Sequence, residues 1–445
     1  MRALRKRLLP VAALVGLMLF SAVHAFALEV DRSVLANGLT VLHAERDNLP
    51  IVKVALLVKT GSFDEPAQKA GLANLTAALL KSGTTTRSAT QIDSEIEFLG
   101  ADLGAGADKD YSVVTLSVLK KDVRRGFEIL SDVLLNPTFP DEEIERNREL
   151  IKGSLRRSEE DPSYLAQRAF MKAVYGDHPY GRLVRGLPET LDGIDREDIT
   201  GFYSAYFRPN NSVLSVVGDL TRAELDALVG EFLSGWKKGP VPPRQPVPVT
   251  PPAASVIEVD RALEQANIVM GHIGVSRGNP DFYALQVMNY ILGGGGFSSR
   301  LMGSIRDEMG LAYDVHSFFT SNKGPGLFEV GVQTKNESAN EVIGEITRQM
   351  KLMTDEGVSD KELEDAKAYL VGSFPMKLDT MDSIARFLVS VEYFDLGLDY
   401  IDKYPAYIKS VTREDVLRVA RHYLHPEACV VVVVAEQSRA RVESR

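Results

Sequence analysis

The six residues Ile194-Asp195-Arg196-Glu197-Asp198-Ile199 return 217 positions later as Val411-Thr412-Arg413-Glu414-Asp415-Val416. At the same offset Tyr206 matches Tyr423, Pro209 matches Pro426, and the apolar run 212–217 matches 429–434. Upstream, Asp141-Glu142-Glu143-Ile144 through Gly153-Ser154 resembles Asp360-Lys361-Glu362-Leu363 through Gly372-Ser373, now at an offset of 219. Agreement in order, spacing and residue type, with a small drift, is what an old duplication leaves. Between the copies lies residues 241–253, VPPRQPVPVTPPA, whose prolines predict an extended, semi-rigid linker. The chain therefore reads as two similar lobes, residues 28–240 and 254–445, facing each other as a clamshell.

The first copy alternates element types. Residues 39–43, 51–58, 111–119 and 212–217 are strand-like, rich in Val, Leu and Ile. Residues 72–80, 89–99, 141–158 and 196–206 have helical spacing, with Thr90 as a cap for the second and Pro140 ahead of the third. Strands separated by pairs of helices predict an α+β fold, with antiparallel-rich sheets covered by helices. At 445 residues, 44% of them hydrophobic, the chain is too long for one small core. The only cysteine, Cys429, lies in an apolar run and reads as a buried strand residue, so packing and not disulfides must hold the fold.

Residues 1–27 have the layout of a secretory signal peptide: Arg2, Arg5, Lys6 and Arg7, then the apolar stretch 8–20, then small residues with cleavage after Ala25 or Ala27. Thirteen apolar residues fall short of the roughly 20 that span a bilayer. No cysteine follows that stretch, which argues against a lipid anchor. The expectation is an exported, periplasmic or extracellular protein with no membrane span in the mature chain. The balance of 51 basic against 61 acidic residues argues against nucleic acid as a partner.

A framed set of motifs runs through the first half. Gly61-Ser62-Phe63-Asp64-Glu65-Pro66 is followed by Lys69-Ala70-Gly71-Leu72-Ala73 and Ser82-Gly83-Thr84, then by Asp161-Pro162 and Asp177-His178-Pro179-Tyr180-Gly181. The frame resembles the pitrilysin/insulinase family of zinc peptidases, the inverzincins, in a processing-peptidase-like form with two halves. The resemblance implies an H-x-x-E-H motif on a helix. Its two His bind zinc, its Glu activates the bound water, and a second Glu downstream completes the ligands. The frame puts Asn74, Ala77 and Ala78 at the three motif positions and Ser154 at the second Glu. Alanine has no lone pair, and Asn and Ser are weak neutral ligands for zinc. No His lies between His43 and His178, so a slip of the frame restores nothing. The expectation is a chain that binds no metal, with zinc in a homologous partner carrying H-x-x-E-H.

The second half carries Gly293-Gly294-Gly295-Gly296-Phe297-Ser298, then Arg306 and Tyr313 seven residues apart. The glycines fit neither a P-loop nor a dinucleotide fingerprint, because no Lys-Ser/Thr follows and Ser298 takes the last Gly position. The plain alternative is a flexible turn. The resemblance places a similar glycine loop near the peptide channel and an Arg–Tyr pair opposite the zinc. A carbonyl turning tetrahedral needs donors, which Tyr O–H and the Arg fork supply. Among the histidines, His422 and His425 are spaced for a metal pair only up to Pro426, His178 precedes a proline in a turn, and His272 and His316 lie on strand-like segments. The reading is a non-catalytic, peptide-binding subunit of a two-chain zinc peptidase. The alternative is a structural or peptide-binding protein of the same fold with no role in proteolysis.

Overall fold

The computed structural model describes residues 28–443. The signal-peptide expectation concerns residues outside that range. The described chain builds two sheets. The first contains β1 (Asp31–Val34), β2 (Thr40–Glu45), β3 (Ile51–Val58), β4 (Asp102–Ala107), β5 (Ser112–Leu119) and β6 (Ser212–Gly218), in the order β1-β2-β6-β3-β5-β4. The second contains β7 (Ser255–Asp260), β8 (Gln265–Ile273), β9 (Ala312–Phe319), β10 (Leu327–Lys335) and β11 (Val430–Ala435), in the order β7-β11-β8-β10-β9. Set β1 aside and the two orders are the same permutation. Each sheet has one parallel pair, β2 with β6 and β7 with β11, and is otherwise antiparallel. The repeat in sequence is a repeat in topology, and the fold is α+β with two lobes.

The duplicated six-residue motif turns out to be a helix start. Asp195 accepts a hydrogen bond from Asp198 N at 2.9 Å and caps Arg196–Tyr206. Thr412 Oγ1 accepts from Asp415 N at 3.1 Å and caps Arg413–Tyr423. Side-chain caps satisfy N–H groups that the first helical turn leaves free. Each helix leads through a short 3-10 turn into an inner strand of its sheet, β6 or β11, every residue of which is buried. One expected cap needs correction. Ser88, not Thr90, starts Ala89–Phe98, because Ser88 Oγ accepts from Gln91 N at 3.2 Å while the Gln91 amide oxygen accepts from Ser88 N at 2.8 Å.

Both faces of each sheet are covered, one of them by the other lobe. Helix Pro162–Tyr175 from the first half sets Ala166, Phe170 and Val174 against Val269, Val430, Val432 and Val434 of the second sheet. Helix Met381–Tyr393 from the second half sets Ile384, Leu388 and Val389 against Leu57, Val213 and Val217 of the first sheet. This exchange explains why β11 is apolar throughout and why β6 carries only the small Ser212, Ser215 and Gly218 among its Val and Leu residues, with no polar face.

Residues 241–253 have no regular secondary structure, and one side chain pins them. Arg244 lies 4.8 Å from the Phe63 ring and pairs with Asp64 at 2.6 Å and Asp110 at 2.7 Å. Buried Asp110 also accepts from Tyr180 Oη at 2.7 Å and from Lys323 N at 2.7 Å, so first lobe, linker and second lobe meet on one carboxylate.

Candidate functional site

Helix Leu72–Leu79 carries Asn74, Ala77 and Ala78, the three expected motif positions, and its entry is tightly held. Gly71 precedes it at φ +102, where a side chain would be strained and would meet Leu191 and the Arg185 carbonyl. The buried Glu65 carboxylate accepts from Gly71 N and Ala73 N, both at 2.9 Å, at the positive end of the helix. Burial pushes the Glu65 carboxyl up to about 8, against the downward pull of those N–H donors and of Arg182. Part of the recognised frame is therefore helix capping, which works without a metal.

Beyond the cap, Ala77 is buried, while Asn74, Ala78 and Ser154 are half-buried. The motif helix packs on Asp141–Ser158, which carries Ser154. Ser154 Oγ accepts from Arg185 Nη1 at 2.8 Å, and Ser158 Oγ accepts from Arg185 Nη2 at 3.2 Å. A fixed guanidinium thus occupies the one hydroxyl among the four positions. Zinc does not fit this set: two positions have no donor atom, one has a neutral amide, and the fourth faces a positive charge. Among the described residues no group of three or more His, Cys, Asp or Glu could hold a metal ion.

In the second lobe the structure brings Arg306 and Tyr313 together. Arg306 lies in the π-helical turn Met302–Glu308 and Tyr313 on the edge strand β9. The guanidinium stands 5.8 Å from the Tyr313 ring and 4.7 Å from the Phe297 ring, and it pairs with Asp307 at 2.9 Å. Tyr313 is 87% exposed and Phe297 71% exposed. The Tyr313 hydroxyl has no intramolecular partner among the described residues.

The glycine run divides into packing and display. A Cβ on Gly293 would come within 2.5 Å of Ser317 Oγ and 2.7 Å of Ser317 N, so the backbone there lies directly on β9. Gly294 ends the π-helical turn Tyr290–Gly294, and Gly295 turns the chain. Gly296, at φ +56 in open space, presents Phe297 to Arg306. The run is therefore not a flexible turn throughout.

Tyr313 also lines a cavity of about 860 Å³ between helix Pro162–Tyr175 and the second sheet. Sequence reasoning missed the acid inside it. Glu329 on β10 is 3% exposed and accepts from Gln167 Nε2 at 2.9 Å. Burial raises its pKa. The signal was present: in Leu327–Lys335 the alternation puts Phe328, Val330 and Val332 on one face and Glu329, Gly331 and Gln333 on the other. Two of the remaining histidines are tied into the backbone: His272 donates from Nδ1 to Ile273 O (2.9 Å) and accepts at Nε2 from His425 N (3.2 Å), and His178 accepts from Tyr180 N (3.1 Å).

Residues 40–186 match the family description Insulinase (Peptidase family M16), and residues 193–370 match Peptidase M16 inactive domain. This chain belongs to peptidase family M16. An uncharacterized zinc protease of Streptomyces coelicolor is 27% identical over 93% of this M16 chain and 92% of its own. One of Mycobacterium bovis is 29% identical over 90% and 92%. The crystal structure of a peptidase M16 inactive domain from Pseudomonas fluorescens superposes with a TM-score of 0.86 at 28% identity, covering 92% of this chain and 98% of that one. A protease from Helicobacter pylori shares the fold at 20% identity, with a TM-score of 0.84 over 92% of this chain and all of its own.

Proposed function

We propose that this M16 chain is the non-catalytic, substrate-binding subunit of a heteromeric zinc metallopeptidase acting on peptides or unfolded protein segments. The observation that carries this reading is an imbalance. Arg306 and Tyr313 stand together, with the exposed Tyr313 hydroxyl and all of the Arg306 fork but Nη1 unspent, while the four metal-ligand positions offer no ligand set. In such a complex a homologous subunit with H-x-x-E-H supplies the zinc and the base. This chain supplies hydrogen-bond donors to the carbonyl oxygen as it gains charge, and Phe297 and Asp307 hold the guanidinium in position for that task. The names of the relatives, zinc proteases, support a peptidase setting. The basic and apolar start of the sequence supports action outside the cytoplasm.

The test uses the mature chain with and without its H-x-x-E-H partner. Alone it is expected to hold no stoichiometric zinc and to cleave no peptide. In the complex, Arg306→Ala or Tyr313→Phe is expected to lower turnover by about 100- to 1000-fold, with assembly intact by size. Full activity in complexes carrying both substitutions would overturn the reading and leave a structural or peptide-binding protein.

A further inference from the structure

Glu329 is a buried carboxylate without a counter-ion among the described residues. One oxygen accepts from Gln167 Nε2, and the other takes no hydrogen bond from any described residue. Among the described residues no Lys, Arg or His nitrogen comes within ion-pair distance of it. The two basic side chains nearest to it in charge are occupied elsewhere. Lys109 donates from Nζ to Tyr180 O at 2.6 Å, and burial lowers its pKa to about 8. His316 pairs with Asp314 at 3.0 Å. Lys335 also lines the cavity, but it pairs with Gln265 at the end of β10, six residues beyond Glu329 and therefore roughly 20 Å away along the strand. A lone charge taken out of water is costly unless something pairs with it.

The space beside Glu329 is shaped to admit that partner. Gly331 faces His316 across the β9–β10 ladder, and a Cβ there would lie 3.2 Å from His316 Nε2, so the absent side chain keeps the floor of the cavity open. The walls carry the amide oxygens of Gln167 and Gln333, which take no hydrogen bond from any described residue and can accept from a multivalent donor. The volume of about 860 Å³ is that of a ligand site and far exceeds one water. Asp314 adds a second negative charge at the rim, next to Tyr313.

We propose that this cavity takes a positively charged group of an extended peptide, a guanidinium or an ammonium, with Glu329 as its counter-ion. The proposal rests on the peptide-binding reading above and deepens it. Because Tyr313 lines the same cavity, a basic group seated on Glu329 fixes the register of the peptide past the Arg306–Tyr313 pair. The paired state restores what burial takes from Glu329, since a cation in contact favours the ionised carboxyl.

Binding to the isolated mature chain tests this, using three fluorescent ten-residue peptides of one neutral sequence. The first has blocked ends and a central Arg. The second has citrulline in place of Arg. The third keeps citrulline but has a free N-terminal amine. The wild-type chain is expected to bind the first or the third at least tenfold more tightly than the second, and which of the two gains tells a side chain from a chain terminus. Glu329→Gln is expected to remove the gain, so that all three peptides bind alike. Gln167→Lys, at a half-buried position whose amide already touches Glu329, is expected to remove the gain too by placing the protein's own ammonium on that carboxylate, which keeps the test valid if the buried substitution misfolds. Equal binding of all three peptides overturns the cation site and leaves the peptide-binding reading standing. A gain that survives both variants also overturns it, and no binding of any peptide overturns both.

Discussion

Arg185 donates to Ser154 and Ser158 on the helix that packs against Leu72–Leu79, so the positions expected for metal ligands already hold a cation. Restoring ligands alone would put zinc beside a guanidinium. We expect the variant with Asn74→His, Ala77→Glu, Ala78→His and Ser154→Glu to bind zinc weakly, and added Arg185→Gln to tighten binding by about tenfold or more, since a unit charge at close range costs kilocalories at the dielectric of a protein surface. Zinc titration reads this, and equal affinities with and without Arg185 would show that the guanidinium plays no part. A second residue sets a pH limit. Burial holds buried His272 at about 4, below the usual 6.5, and its two ring nitrogens are spent on Ile273 O and His425 N. Between those values the unfolded chain binds a proton that the folded one refuses. Stability from this group is therefore complete above pH 6.5 and falls as pH drops towards 4, by about 3 kcal/mol at most. The difference in urea stability between the wild type and His272→Phe should shrink over that window, and a difference independent of pH would refute the assignment. Neither residue stood out in the sequence. Arg185 lies outside every motif, and the burial of His272 depends on a strand and a helix end 153 residues apart.

At the scale of elements, the sequence was legible where local chemistry decides. The helices Asp141–Ser158 and Arg196–Tyr206 and the strand Ile51–Val58 have the bounds that their spacing predicts. The recurrence of a capping box explains why one short motif survived in both copies, for it works through its own backbone and needs no neighbour. Asp195→Ala or Thr412→Ala should each cost about 1 kcal/mol in denaturant unfolding, and no cost at either site would mean that the cap is not what the repeat preserves. Less legible were β4, with its Asp-Leu-Gly-Ala-Gly-Ala sequence, and β9, interrupted by Asp314, His316 and Ser317. Both are edge strands with one partner each, so burial imposes no clear alternation on them. The Arg306–Tyr313 pairing came from the family resemblance, whereas the cavity beside it required knowing that a helix from the other half forms its far wall.

At the scale of the molecule, the exchanged helices make each lobe incomplete without the other. Phe170 belongs to the first half but is buried among Val269, Val430 and Val432 of the second. Phe170→Ala should cost about 3–5 kcal/mol, the usual range for emptying an aromatic site in a core. Since the face it leaves is that of the second sheet, the loss should appear in one unfolding transition, not in that of one lobe. The same logic predicts the behaviour of the halves. Residues 28–240 alone would expose Leu57, Val213 and Val217, and residues 254–443 alone would expose Val430, Val432 and Val434. Each should be poorly soluble when expressed singly, and the two should assemble when expressed together, because their joint does not depend on a continuous linker. A cut between Pro251 and Pro252, beyond the Arg244 anchor, is therefore expected to leave one particle of unchanged size. Arg244→Ala should do more harm than the cut, about 3–5 kcal/mol, because it leaves the buried Asp64 and Asp110 carboxylates facing each other without their shared cation. Size-exclusion chromatography of the cut protein and denaturant unfolding of the variant decide the matter. Separation of the halves after the cut, with Arg244→Ala tolerated, would mean that the linker and not the exchanged helices holds the molecule together.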